Sequence, residues 1–404
     1  MLEKPLVIAG IGADGWQGLG QEARDALLTA DQVIGSHRQL ALLPELGAEL
    51  RPWPSPIGPL VDELAAGSEA AICVLASGDP MLHGIGATLS RRMPPDALVV
   101  YPHASAFTLA CAALRWPAAE VELVSAVSVP SEIITPLLQP ARRLIVYVSG
   151  ERGAADVARV LVDHGCGPSR FVVQQQLGSD QEAIIESTAA EWGEQGANAP
   201  HLVAIECRAA AGSALNQRSP GLPDAAFEND GQLTKQLVRA ATLAALAPTP
   251  RSLLWDIGAG SGSIAIEWMR TEPTSSAIAI EPREDRAERI ELNAKHLGAL
   301  GLQVLPAKAP EALEHLSLPD AIFIGGGVTQ PGMIDDCWNA LLPGGRLVAN
   351  AVTLEGERVL ADALEQYGGR MARIDISHAE PIGGFTGWRA QMPVVQWVVR
   401  KDLA

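Results

Sequence analysis

The sequence predicts two α/β units in one chain of 404 residues, too long for a single ordinary domain. Three observations carry this. Short apolar stretches bounded by Gly or Pro alternate with helix-period segments along most of the chain, the pattern of buried sheets with helical crossovers. One stretch, from Ala209 to Leu233, breaks that rhythm with Gly, Pro, Ser and Asn and no sustained period. And each half has its own glycine-rich turn after an apolar strand, at 10–15 and at 258–262. The expected boundaries are a first domain over 1–212, a linker over 213–221 and a second domain over 222–404.

In the first half the strand candidates are 5–12, 70–77, 97–102, 121–127, 142–150, 170–177 and 201–208. Helical periodicity fills 21–30 and 104–115 between them. In the second half an amphipathic helix, 234–248, is closed by prolines, and strands follow at 253–257, 277–281, 303–307, 321–325 and 346–352. The tail adds strand-like stretches at 373–380 and 391–401, separated by the turn-rich PIGGFTG. Five strand–helix repeats ending in a hairpin predict an open, mostly parallel sheet with an antiparallel edge. The halves show no common repeat, so two different folds are fused.

Composition narrows the function classes. Apolar residues make up 48% and charged residues 19%, which is globular. A net charge of −17 disfavours a nucleic-acid binder. Of 30 basic residues 25 are Arg, whose planar fork suits carboxylates. Five scattered cysteines and eight dispersed histidines form no C-x-x-C, H-x-H or H-E-x-x-H, so neither a disulfide framework nor a metal site is expected. No apolar run approaches the roughly 18 residues of a membrane span. The opening LVIAGIGA meets Asp14 at once without a cationic leader or cleavage site, so a first strand and a cytoplasmic protein are expected.

Gly10-Ile-Gly12-Ala-Asp-Gly15 has the literal spacing of a dinucleotide loop. That fingerprint needs a helix opening within the glycines and an acid at the carboxyl end of the second strand. Here helical periodicity starts near Gln21, and Asp31 precedes its strand. A glycine turn after a buried strand explains the pattern better than a nicotinamide site. Two further loops join it: Gly78-Asp79-Pro80 at a strand end, and Pro102-His-Ala-Ser105-Ala106 between a strand and a helix. Three such loops at successive strand ends build a small-molecule cleft.

The second cluster is the stronger signal. The strand LLWDI leads into Asp256-Ile-Gly258-Ala259-Gly260-Ser261-Gly262 and then a helix, and the next strand ends at Glu281. Glycines let backbone amides approach a ligand closely, and an acid at that strand end accepts both ribose hydroxyls of an adenosine. G-x-G-x-G suits a methionine tail rather than a pyrophosphate. After the fourth strand, Gly325-Gly326-Gly327 stands where base-methylating enzymes carry an N-P-P-Y-like loop, which argues for a bulky substrate rather than a flipped base.

On these residues the first half resembles the tetrapyrrole methylases, the class III S-adenosylmethionine-dependent methyltransferases, a fold of two α/β subdomains. The second half resembles the class I, Rossmann-like, decarboxylating precorrin methyltransferases, through LPDAAFENDGQLTKQLVRA, WDIGAGSGSIAIE, APEAL and LLPGGRLVANAVTLE. Their order along the chain is similar to the precorrin-6Y C5,15-methyltransferase (decarboxylating) family of aerobic cobalamin synthesis.

The resemblance implies methylation at C-5 by the first domain, and methylation at C-15 with loss of the ring-C acetate carboxyl by the second. It implies one S-adenosylmethionine site per domain: Gly10, Gly12, Gly78, Asp79, Pro80, Ser105 and Ala106 in the first, and Thr234, Asp256, Gly258 through Gly262, Glu281, Lys308 and Ala309 in the second. Lys308 departs from the acid usual before A-P-E. Gly325, Gly326, Arg239 and Arg389 are the candidates for substrate contact, and no catalytic residue is assigned. The implied partner is a small tetrapyrrole, not nucleic acid or a membrane, with a homo-oligomer, a tetramer through the second domain. Two other possibilities stay open from the residues themselves: a single-site small-molecule methyltransferase, and an NAD(P)-dependent oxidoreductase using Gly10–Gly15.

Overall fold

The computed structural model describes residues 4–198, 200–213 and 217–402. It divides into two compact units, Met1–Ser131 with Pro140–Ser213, and Glu132–Gln139 with Ala214–Ala404. Of the expected linker, residues 214–216 lie outside the described residues.

In the first unit, β1 (Leu6–Ile11), β2 (Gln32–Gly35), β3 (Glu49–Pro52), β4 (Ile72–Ser77) and β5 (Leu98–Tyr101) form a wholly parallel sheet ordered β3-β2-β4-β1-β5. β1 therefore runs between β4 and β5, and the three glycine- or serine-bearing loops leave adjacent strand ends. β2 and β3 are four residues each, too short to register as apolar runs in the sequence.

A second sheet contains β6 (Val121–Ser125), β7 (Arg143–Tyr147), β8 (Arg170–Gln175), β9 (Ala183–Thr188) and β10 (His201–Glu206), ordered β6-β7-β10-β8-β9. Only β6 and β7 pair in parallel. One of its faces packs Ile145, Val172, Leu202 and Ala204 against Ala110 and Cys111 of helix Ala106–Leu114. β9 escaped sequence detection because it is largely solvent-exposed and carries Glu186 mid-strand, ion-paired with Arg170 across the ladder at 2.7 Å.

The second unit holds β11 (Leu253–Ile257), β12 (Ser276–Ile280), β13 (Gln303–Leu305), β14 (Ala321–Ile324), β15 (Arg346–Ala351), β16 (Arg370–Ile374), β17 (Ser377–Ile382), β18 (Phe385–Ala390) and β19 (Val394–Arg400). Seven of them make one sheet, ordered β13-β12-β11-β14-β15-β19-β16, with β19 antiparallel to both its neighbours. Trp255, Ile322, Leu347 and Trp397 fill one face, and Leu254, Phe323 and Val348 the other. The tail departs from the expectation. The segment 373–380 is divided between β16 and a separate hairpin, β17–β18. VVQWVVR is apolar on both faces, so it inserts between β15 and β16, where both faces are covered, instead of forming the edge.

The entry segment is fixed by a buried ionic knot. Glu267, 1% exposed, accepts hydrogen bonds from the Gly221 and Leu222 amides at 2.6 and 3.0 Å and from Arg239 Nε at 2.6 Å. Arg239, fully enclosed, also donates to Asp224 at 3.2 Å and to the Thr234 and Leu222 carbonyls, and lies over the Phe227 ring at 4.7 Å. Removing one partner of such a pair strands the other charge in low dielectric. Arg239→Met is therefore expected to lower the unfolding stability of the second unit by about 3–5 kcal/mol in a denaturant titration. A variant as stable as the parent would contradict the structural role.

Candidate functional site

Each unit carries a large cleft at its strand ends. In the second unit a cleft of about 720 Å³ opens above β11, β12 and β14, within the size range of small-molecule sites. β11 delivers the glycine loop. Gly258 has φ +70°, and a Cβ there would lie 2.8 Å from the Gly326 Cα, so the loops after β11 and β14 touch backbone to backbone. Gly260 has φ +62°, with the Gln232 carbonyl 3.1 Å from where a Cβ would be. Only glycine supplies both the left-handed geometry and the clearance at these positions.

Glu281 follows β12 directly and borders the cleft, 3% exposed. Its Oε2 accepts the Gly260 amide at 2.9 Å and its Oε1 the Arg283 amide at 3.2 Å. Thr234, Gly258, Ala259, Gly260, Lys308, Ala309, Gly325 and Gly326 line the same space. Asp256, Ser261 and Gly262 are not on its wall. Ser261 Oγ is buried without a hydrogen-bond partner among the described residues, and Gly262 caps helix Ser263–Thr271 at φ +76°.

Asp256 is 1% exposed. Its Oδ2 accepts the Ala265 amide at 3.0 Å, while Oδ1 has no partner among the described residues. Burial, reinforced by the nearby Glu281 carboxylate, pushes its pKa up to about 7.

Arg239 is a correction. Expected at substrate carboxylates, it is sealed in the core with its guanidinium engaged by Glu267, Asp224 and two carbonyls. Arg389 stands on β18, 75% exposed and 3.0 Å from Glu380, and is not among the cleft residues. The sequence pointed to neither Arg286 nor Asn350, Gln330 and Gln391, all of which line the cleft. Arg286 is in the first turn of helix Glu284–His296, Asn350 near the end of β15, and Gln330 and Gln391 on loops, none with a glycine signature.

In the first unit a cleft of about 700 Å³ lies between the two sheets. Gly12, Gly78, Ser105 and Ala106 line it. Gly10, Asp79 and Pro80 sit behind the wall. A Cβ on Gly10 would strike the Gly78 carbonyl and lie 2.8 Å from the His103 amide nitrogen, and Asp79 Oδ1 accepts the Met81 amide at 2.8 Å to shape the turn. Ser105 Oγ caps helix Ala106–Leu114 by accepting the Thr108 amide at 3.1 Å. Tyr147 reaches across from β7, its hydroxyl accepting the Phe107 amide at 2.9 Å, and burial pushes its phenol pKa up. Arg38, Gln39, His83, Tyr147 and Gln174 also line the cleft. They are scattered along the sequence and gave no signal as a group.

The first glycine turn is poorly suited to a diphosphate. The Asp14 carboxylate lies 2.5 Å from where a Gly12 Cβ would be and is paired with His103 at 3.3 Å, so an incoming pyrophosphate would meet an anion. The helix that follows is a single turn, Gly15–Gly18. Asp31 accepts the Ala71 amide at 2.7 Å before β2 begins and is absent from the cleft wall.

Two clefts, each floored by glycine-bearing strand ends on different α/β sheets, define a fusion of two methyltransferase folds. Residues 5–192 match the family model for tetrapyrrole (corrin/porphyrin) methylases, and residues 225–401 that for the precorrin methyltransferase domain. Two relatives carry the name precorrin-6Y C(5,15)-methyltransferase [decarboxylating]. That of a Sinorhizobium species is 44% identical over 97% of this chain and 95% of its own length. That of Mycobacterium tuberculosis is 44% identical over 98% of this chain and 100% of its own. A solved C-terminal domain of the Rhodobacter capsulatus enzyme is 47% identical, covering 46% of this chain and all of that one, with a TM-score of 0.44. The chain belongs to the decarboxylating precorrin-6Y C(5,15)-methyltransferase family.

The raised Asp256 pKa has a directional consequence. Its folded value stands above the unfolded one, so its contribution to stability is full below about pH 4 and is lost as pH rises through about 7. Asp256→Asn keeps an oxygen for the Ala265 amide but cannot ionise. Its stability relative to the parent is expected to rise between pH 4 and pH 7 and to level off above, in paired denaturation curves. A constant difference across that range would show that Asp256 titrates normally.

Proposed function

We propose that the chain holds two S-adenosylmethionine sites, one in each unit, and uses them on a single precorrin substrate. The first unit methylates C-5, and the second methylates C-15 and removes the ring-C acetate carboxyl. The observation that carries this is the pair of separate clefts, each built on strand ends where a Cβ would collide with backbone. When bound, the donor supplies an already activated methyl group on sulfonium.

In the second unit Glu281 would take the ribose hydroxyls, and the Gly258–Gly260 turn, whose amides are held by the Ile280 carbonyl and by Glu281, would form the side-chain-free wall beside the amino-acid tail. Ala309 and Lys308 line the wall expected beside the adenine. In the first unit Gly12, Gly78 and Ala106 supply backbone at the corresponding strand ends. The protein's part is to align donor and nucleophilic carbon and to exclude water, a contribution of roughly 7–11 kcal/mol to barrier lowering. The conjugated macrocycle can accept the electron pair released by decarboxylation, given a carboxylate held with its C–C bond across the π system. Gly325 and Gly326 leave space for a broad substrate at the cleft mouth, and Arg389 on the β17–β18 hairpin remains the candidate for a peripheral carboxylate.

The same proposal includes the metal-free, aerobic route, a cytoplasmic location and a homotetramer formed through the second unit. Five free, buried cysteines fit a reducing compartment. Ile382, Phe385 and Trp388 on the hairpin, 61%, 83% and 77% exposed, supply apolar surface for self-association.

Mass spectrometry of a reduced precorrin incubated with donor and enzyme is expected to show two methyl groups gained and one carbon dioxide lost. Glu281→Ala should confine the product to a single methylation and weaken S-adenosylhomocysteine at one of two sites by about 1–3 kcal/mol. Gly78→Val should abolish the other methylation. Calorimetry giving one S-adenosylhomocysteine per chain for the parent would overturn the two-site assignment.

A further inference from the structure

We infer that Gln174 reads the adenine edge of the donor nucleoside in the first unit. This rests on the two-site assignment and adds a specificity-determining side chain to the first site. β10 pairs Leu202 with Tyr147 of β7 on one side and with Gln174 of β8 on the other. Directly opposed residues share a face of the pleat, so Tyr147, Leu202 and Gln174 stand together. All three line the cleft. The same face continues inward as Ile145, Val172 and Ala204, packed under helix Ala106–Leu114. The alternation thus calls for an apolar residue at 174, yet a carboxamide is there.

Gln174 is 1% exposed, and neither its Oε1 nor its Nε2 has a hydrogen-bond partner among the described residues. The other orphan nearby, His201, also borders the cleft, but it pairs with Gln175 and so extends from the other side of the pleat. An unsatisfied buried amide destabilises the empty protein, and its retention beside a cleft points to a ligand that completes it. What completes it must offer a donor and an acceptor side by side. A tetrapyrrole periphery presents carboxylates, which only accept and would leave Oε1 unpaired. Adenine presents the N6 amino group beside a ring nitrogen, the edge that Gln grips with two hydrogen bonds. The neighbouring wall of Leu109, Leu177, Pro200 and Leu202 suits the flat faces of the base. Because the amide is closed to bulk water, the edge reaches it once a bordering side chain gives way.

The test is calorimetry on the full chain with S-adenosylhomocysteine and with its 6-deamino purine analogue, which lacks the N6 donor. In the parent, one of two sites should prefer S-adenosylhomocysteine through Gln174. In Gln174→Leu the affinity of that site should drop about tenfold or more and its preference over the analogue should shrink toward one. The second site should keep both values. Leu removes an orphaned polar group at similar volume, so the ligand-free first unit should melt at an equal or higher temperature. This separates lost recognition from lost folding. Two sites with unchanged affinity and preference in Gln174→Leu would overturn this inference while leaving the two-site assignment intact. A parent that binds only one equivalent would instead remove the assignment itself.

Discussion

In both units the cleft exists because two strand-end backbones approach more closely than any side chain permits. Gly10 lies against the Gly78 carbonyl, and Gly258 against Gly326. The constraint is steric before it is chemical. A parallel sheet sends its strand ends out together on one side, and loops that must cross there compete for the same space. Removing Cβ atoms at the crossing lets the loops nest and keeps the remaining volume open for a ligand. Everything polar in the sites hangs on that close approach. Glu281 can hold the Gly260 amide only because the loop lies flat against the end of β12, and Ser105 begins its helix directly above Gly78.

That constraint is why so much was legible in the sequence. A glycine cluster after an apolar run announces a strand end, and LLWDI was located to the residue. Acid position discriminated between the two clusters: Glu281 follows its strand, whereas Asp31 precedes β2. What escaped was whatever depends on lateral neighbours. β2 and β3 are too short to alternate visibly, and the insertion of β19 between β15 and β16 follows from two-sided burial that a linear pattern only hints at. Gln174 and Tyr147 are brought to one wall by antiparallel register across β10, a relation that no sequence spacing expresses.

Arg239 shows a different failure. An excess of Arg in an acidic chain suggests anion recognition, but a guanidinium serves equally as a buried multi-donor strut. Here it ties Glu267, Asp224 and two carbonyls into the ramp that brings Thr234 to the cleft. Sequence position alone cannot separate these uses, because both place Arg near a helix start. The outcome is set by Glu267, which lies 28 residues away and on the core side of the next helix. The entry segment is then positioned without relying on its own irregular backbone, which has little regular structure to hold it.

The two units also share a pattern of polar groups withheld from solvent beside the clefts. In the first it is the Gln174 carboxamide, in the second Asp256 Oδ1 and Ser261 Oγ beneath the glycine loop. Each such unmet group lowers the stability of the empty fold, and at Gln174, which bonds nothing among the described residues, a well-packed apolar residue would be tolerated. Others lie elsewhere: Arg270 Nε near the end of helix Ser263–Thr271, and both ring nitrogens of His201 on β10. Asp256 and Ser261 fall where β11 meets its glycine loop, while the faces of that sheet are filled by apolar side chains. For Asp256 the effect is electrostatic as well: burial, with the Glu281 carboxylate nearby, pushes its pKa up to about 7. Beneath the second glycine loop the polar anomalies mark the same boundary as the glycines, one signal arising from backbone clearance and the other from unmet hydrogen bonds.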